Sequence, residues 1–173
     1  AYAEMDYTMF ENPAVAGFNT ALLQNGSIVG GGDTMTCIED VIEAGLELEM
    51  AIEDFTMKEY ILVADGCKLL GFFLEDIGDA LVQCADSTRA TDAQEVLEIA
   101  SDFLDAGMLG IDMENHEVRI GGIDISDKIQ ESTEFHQQKD YYHAGFALGE
   151  AALRVKNVKA EICFNKLKIQ RCK

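Results

Sequence analysis

Apolar positions along this chain recur mostly at helical spacing. Asn12-Pro13 reads as an N-cap followed by Pro at the first helical position, and opens a helix through about Leu23. Gln24 to Asp33 holds Asn25-Gly26 and Gly30-Gly31-Gly32 and reads as a loop. Thr36-x-x-Glu39 is a capping-box pattern. After it, Ile38, Val41, Ile42, Gly45, Leu46, Glu49 and Ile52 recur at i, i+3, i+4 spacing and predict one buried face. Glu39, Asp40, Glu43, Glu47 and Glu53 fall largely outside that stripe, so the helix is acidic and amphipathic. Met57 to Cys84 is apolar nearly all round, which predicts the central and most buried helix. Gly66, Gly71 and Gly78 inside it predict close helix approach or a kink.

Thr91-x-x-Gln94 opens a further helix through about Asp105, with Val96, Ile99, Ala100, Phe103 and Leu104 as its core face. Asp112 to Gly122 reads as irregular or briefly extended. Ile123, Ile125 and Ile129 begin a helix that stops near His136 to Lys139, and Tyr141 to Val155 forms the last clear helix, rich in small residues. Phe164 to Arg171 then alternates apolar and polar residues, a strand pattern with no obvious partner in a helical chain. The expected architecture is a single all-α domain of five or six helices, residues 1–155, with an extended, strand-like tail over residues 156–173.

Charge sharpens that division. The 173 residues carry a formal net charge of -19. Residues 1–153 hold six Lys and Arg against 31 acids, whereas residues 154–173 hold seven against Glu161 alone. An acidic body therefore ends in a basic tail, which can fold back on its own body or dock on another copy. An overall negative charge argues against nucleic-acid binding, because phosphate contacts need Lys and Arg. No apolar run reaches the roughly 18–20 residues that cross a bilayer as a helix. With 48% apolar residues the chain has enough to bury a core, which argues against disorder.

Three features bear on compartment. The first residues, Ala1-Tyr2-Ala3-Glu4, suggest a processed chain. Asn25-Gly26-Ser27 is an N-glycosylation acceptor sequence in a loop, which makes Asn25 the candidate site. The five cysteines show no zinc-ligand spacing. Cys37 and Cys84 bracket a predicted helical hairpin, and Cys163 and Cys172 bracket a short loop in the tail; two bridges with Cys67 left as a buried small hydrophobe fit an oxidising compartment. Five reduced cysteines in a cytosolic protein are the alternative.

Two stretches carry a resemblance. Cys37-Ile38-Glu39-Asp40-Val41 precedes Leu69-Leu70, Glu75-Asp76-Ile77-Gly78-Asp79-Ala80-Leu81 and Cys84. Later come Gly122-Ile123-Asp124-Ile125, Ile129 and Asp140-Tyr141-Tyr142-His143-Ala144-Gly145-Phe146-Ala147-Leu148-Gly149-Glu150-Ala151. Over roughly residues 37–153 the chain resembles a loosely defined group of secreted, Cys-containing helical proteins of ciliates and other protists. The resemblance implies secretion, a helical fold and a Cys37–Cys84 bridge. That group has no assigned activity, so no catalytic residue carries over, and the basic tail with Cys163 and Cys172 is not part of the pattern.

Catalytic and cofactor chemistry find little support. His136, Asp140 and His143 fall close together at a predicted helix junction and suggest zinc ligands, but a break lies between them, which argues against shared facing. Carboxylates such as Glu39, Asp40 and Glu43, or Glu47 and Glu49, suit weak calcium binding, although no EF-hand loop is present. Gly30-Gly31-Gly32-Asp33 lacks the preceding strand and the Lys-Ser/Thr of a phosphate loop. Ser132 stands one helical turn before His136, within reach of it, with no further sign of an activated nucleophile. No cofactor is expected.

The expected function is therefore a secreted, non-enzymatic structural protein that self-assembles into an oligomer or polymer, as in an extracellular or secretory-granule filament. Lys166, Lys168 and Arg171 of the tail would meet acidic helix faces of a neighbour, with Leu167 and Ile169 adding apolar contact. Seven Met and nine Phe in apolar stripes leave a second expectation, a carrier of a lipid or other apolar small molecule.

Overall fold

The computed structural model describes residues 12–24, 37, 45–84, 90–106, 111–112 and 115–166. Within them lie six α-helices and a small antiparallel sheet, a predominantly all-α fold. The helices are α1 (Pro13–Asn19), α2 (Leu46–Met57), α3 (Tyr60–Cys84), α4 (Ala90–Ala106), α5 (Ser126–Gln137) and α6 (Tyr141–Lys166). The strands β1 (Ile111–Asp112), β2 (Glu117–Ile120) and β3 (Ile123–Asp124) stand in that order.

Helix α1 starts as the sequence predicts. Asn12 Oδ1 accepts from the N–H groups of Ala14 and Val15 at 3.1 and 3.3 Å, and Pro13 fills the first turn, where no helical N–H is needed. A π-helical turn, Thr20–Gln24, ends the segment. Helix α1 lies across α6 at very short range. A Cβ on Gly17 would overlap the carbonyl of Tyr142, and one on Gly145 would overlap the backbone of Ala14. The small residues read from the sequence of α6 thus serve a backbone-to-backbone crossing.

The other half is built on α3, which packs against α2 on one side and α4 on the other. Its three internal glycines make room for Phe55, Leu104 and Leu97, so they serve close approach. Leu70, Phe73, Leu74 and Ile77 of α3 are fully buried, in one core cluster with Phe18 and Leu22 of the first segment and Leu148 and Val155 of α6. Phe18 meets Phe73 edge to face at 5.1 Å between ring centroids, which joins the two halves.

Helix boundaries differ from the sequence reading. The helix expected over Thr36 to Ile52 is interrupted at Gly45. Its φ of 52° places it in the left-handed region, and α2 begins only at Leu46. The buried stripe of α2 is consequently Leu48, Ala51, Ile52 and Phe55, with Leu46 and Glu49 facing outward. Residues 38–44 lie outside the described set. The last helix, expected to end at Val155, continues to Lys166 and takes Phe164 to Lys166 out of the expected strand. No Gly or Pro follows Gly149 to break it, and ion pairs hold its second half to the body. Residues 167–173 of the tail lie outside the described set.

The stretch expected to be irregular or briefly extended contains the sheet. Ile111 pairs with Val118, and Ile120 pairs with Ile123 across the two-residue turn Gly121-Gly122, whose positive φ angles suit a tight hairpin. Ile123 therefore belongs to a strand, and α5 starts at Ser126. No helix among the described residues is long and apolar enough to cross a membrane.

Candidate functional site

The basic segment begins on α6, and its first three cations turn inward. Arg154 donates from Nη1 and Nη2 to the two oxygens of Asp127 at 2.6 and 2.9 Å, and Nη1 also donates to the Asp124 carbonyl at 3.0 Å. This bidentate pairing holds the Asp127 carboxyl down at about 2. Lys156 Nζ lies 3.3 Å from Glu95, and Lys159 Nζ lies 2.6 Å from Asp102, both on α4. This part of the basic segment is thus docked on its own body. Lys166 closes α6, and four more cations or apolar residues of the predicted assembly tail, Leu167, Lys168, Ile169 and Arg171, lie outside the described residues.

The α2–α3 hairpin carries the opposite charge, and in an unusual form. Asp54 of α2 stands against Asp65 of α3, and Glu47 of α2 stands against Asp76 of α3. Burial and then the neighbouring carboxylates push the Asp54 and Asp76 carboxyls up to about 6. Like charges therefore face each other twice across one seam. The outer face of α2 is partly apolar: Leu46, Met50 and Met57 are 58%, 43% and 60% exposed, and Ile61 at the start of α3 is 72% exposed. At 3.6 residues per turn, positions 46, 50, 53 and 57 share one face of α2, opposite the buried stripe.

A cleft of about 270 Å³ opens beside that face. It is lined by Asn12, Pro13, Ala14, Glu49, Ile52, Glu53, His136 and Tyr141. Asn12 Nδ2 donates to Glu49 Oε1 at 2.9 Å, so the capping residue of α1 also ties α2 to it. His136 Nδ1 is buried with no hydrogen-bond partner among the described residues, and its ring lies 5.6 Å from that of Tyr141.

The candidate chemical groupings separate in space or take structural roles. His143 Nδ1 pairs with Asp140 Oδ2 at 2.7 Å, while His136 turns to the cleft. Ser132 does not turn to His136: its hydroxyl donates to the Ala144 carbonyl at 2.8 Å and pins α5 to α6. Glu47 is occupied with Asp76 and Glu49 with Asn12. Among the described residues no three His, Cys, Asp or Glu side chains come together as a metal site. The other calcium candidates, Glu39, Asp40 and Glu43, lie outside the described residues.

Cys37 and Cys84 form a disulfide, with Cα atoms 5.6 Å apart. Cys67 is buried as a free thiol, and burial pushes it up to about 12, which keeps it inert. Cys172, the side chain of Cys163, and Asn25 lie outside the described residues.

Two features escaped the sequence reading. The like-charge pairs depend on the register between α2 and α3, which no local spacing reveals. The exposed apolar face of α2 was assigned partly to the core because Leu46 was counted in the buried stripe. Its signal was present in the alternative set Leu48, Ala51, Ile52 and Phe55.

Fold and site together define an acidic, disulfide-bonded, predominantly helical protein. Compared with known proteins, the chain matches no family model, no curated protein and no solved structure.

Proposed function

We propose that this chain is a secreted, non-enzymatic structural protein that self-assembles, as a subunit of an extracellular or secretory-granule filament, through its C-terminal basic tail and the acidic body of a neighbour. The observation that carries this reading is how the basic segment is divided. Arg154, Lys156 and Lys159 are taken up within the chain, and Lys166 lies at the very end of a helix 26 residues long. The sequence after it, Leu-Lys-Ile-Gln-Arg-Cys-Lys, adds three cations and no acid. A heterologous contact of this kind repeats from copy to copy and generates open filaments. The Cys37–Cys84 bridge supports an oxidising compartment. Secretion also accords with the resemblance to helical proteins of ciliates and other protists.

Deleting residues 167–173 tests the reading and leaves the internal ion pairs intact. Sedimentation velocity should show full-length particles larger than the 19.0 kDa chain that shrink as salt rises. The deleted form should stay a single chain throughout. Equal particle sizes for the two proteins in low and high salt would overturn the proposal.

The carrier reading gains less. The cleft, at about 270 Å³, falls below the roughly 300–1,000 Å³ of typical small-molecule sites, and two carboxylates line it. A lipid adduct in native mass spectra of the purified protein would revive that reading.

A further inference from the structure

We propose that the outer face of α2, Leu46, Met50 and Met57 with Glu49 and Glu53 beside them, is the surface that receives the C-terminal tail of a second copy of this chain. This rests on the assembly reading above and names its acceptor. The first argument is chemical fit. The tail offers Leu167 and Ile169 among Lys166, Lys168 and Arg171. The face offers exposed apolar side chains among exposed carboxylates: Leu46, Met50 and Met57 lie on one side of the helix, Glu53 lies within that stripe, and Glu49 lies at its margin. Apolar and charged parts are thus complementary in both partners.

The second argument is charge that the hairpin itself leaves unneutralised. Glu47 faces Asp76 and Asp54 faces Asp65 along the α2–α3 seam next to this face. Carboxylates placed against carboxylates create a local potential that a basic segment relieves. Arg154, Lys156 and Lys159 are engaged with Asp127 of α5 and with Glu95 and Asp102 of α4, not with α2.

The third argument is reach, and it selects a second copy over the same chain. Tyr141, the first residue of α6, lines the cleft with Ile52 and Glu53 of α2. Lys166 stands 25 residues further along α6, which is about 38 Å at 1.5 Å per residue. Either end of α2 lies within about 9 Å of Ile52 along the helix, and with about 10 Å between neighbouring helices Lys166 stands roughly 18 Å or more from α2. Leu167 and Ile169 fall within three residues of Lys166 and reach about 11 Å from it at full extension. The backbone of Leu167 and Ile169 therefore falls short of the α2 face of its own chain, which favours a second copy as the acceptor.

Three proteins and one chemical probe test this. The full chain, the deletion of residues 167–173, and a full chain carrying Met50→Glu and Met57→Glu are compared by sedimentation velocity, with Val82→Glu, an exposed position on α3, as a control. Zero-length carbodiimide cross-linking of mixed isotope-labelled and unlabelled full chains supplies the contact. The expected result is loss of assembly in the deletion and in the double variant, retention in the control, and Lys166 or Lys168 joined to Glu49 or Glu53 between copies. If the deletion abolishes assembly while the double variant assembles normally, or if the tail cross-links elsewhere, the acceptor face is wrong and the assembly reading stands. If the deletion leaves assembly unchanged, or if the full chain is a single chain throughout, both fail. Circular dichroism matching the full chain shows that the double variant is folded, as glutamate at two exposed helix positions should allow.

Discussion

The Cys37–Cys84 bridge closes the open end of the α2–α3 hairpin. It joins a residue ahead of α2 to the last residue of α3, 47 positions later. The enclosed loop contains α2, the Lys58-Glu59 turn and all of α3, so the bond restricts a large part of the unfolded chain. Chain entropy for residues 47 apart gives about 4 kcal/mol of stabilisation at 25 °C. Replacing both cysteines, Cys37→Ser with Cys84→Ser, isolates this bond from the remaining cysteines, which a reductant would not. With a denaturant slope of roughly 2 kcal/mol per molar for a chain of this size, the urea midpoint should fall by about 2 M. The measurement is equilibrium urea unfolding followed by far-UV circular dichroism. Cys67, buried with its thiol pushed up to about 12, should stay unreactive in the folded variant and react only as it unfolds. A midpoint shift worth less than about 1 kcal/mol would refute the reasoning, because it would mean that the unfolded chain already holds these two positions together.

Two further outcomes follow from packing and charge. Gly145→Ala places a methyl group on the backbone of Ala14 at the α1–α6 crossing, where neither helix has a flexible side chain to give way; a loss of about 2–3 kcal/mol in urea unfolding is expected, and a neutral effect would show that the crossing is looser than described. Asp54 and Asp76 have carboxyls raised from 3.8 to about 6, so the folded state binds their protons more tightly than the unfolded state. Their contribution is therefore fully present below about pH 4, is lost between pH 4 and 6, and stays lost above. Two units on Asp54 convert to at most about 3 kcal/mol, which solvent screening reduces to about 1. The urea midpoint should fall across that window, and Asp54→Asn should flatten the fall and stabilise the protein at pH 7.5. Destabilisation by Asp54→Asn at that pH would contradict the like-charge account.

What could be read from the sequence was what depends on neighbours in the chain. Asn12-Pro13 announced α1 because a cap needs only its own next residues, and Asn12 accepts from the N–H groups of Ala14 and Val15. The face Val96, Ile99, Ala100, Phe103 and Leu104 of α4 was legible for the same reason: its spacing is fixed by the helix, and the first four are buried while Leu104 is half-buried. The interruption at Gly45 was not legible. A glycine at i+3 from Ile42 fits a helical stripe as well as it fits a left-handed break, and the choice is made by distant packing, since a Cβ there would overlap Val15 of α1. That one break moved the buried face of α2 and turned Leu46 outward. Strands of two to four residues were likewise too short to separate from loop until pairing between Ile120 and Ile123 was known.

The basic tail shows how far a charge count carries an inference and where geometry must take over. Composition divides the chain into an acidic body and a basic end, but it weights seven cations equally. The fold does not. Arg154 is bidentate on Asp127, and Lys156 and Lys159 reach α4, so these three hold the second half of α6 to the body. Exposed pairs of this kind are worth about 0–1 kcal/mol each, with the bidentate one the strongest. Their main effect is directional: they commit a rigid helix to leave the body with the remaining cations at its far end. Had the strand expected from Phe164 begun at Lys156, a flexible segment of 18 residues could have reached any acidic face of its own chain. A helix to Lys166 carries Leu167 and Ile169 to its far end, and within three residues of that end the backbone falls short of α2. The extension of one helix by eleven residues thus changes a question of charge, which composition could only pose, into one of distance.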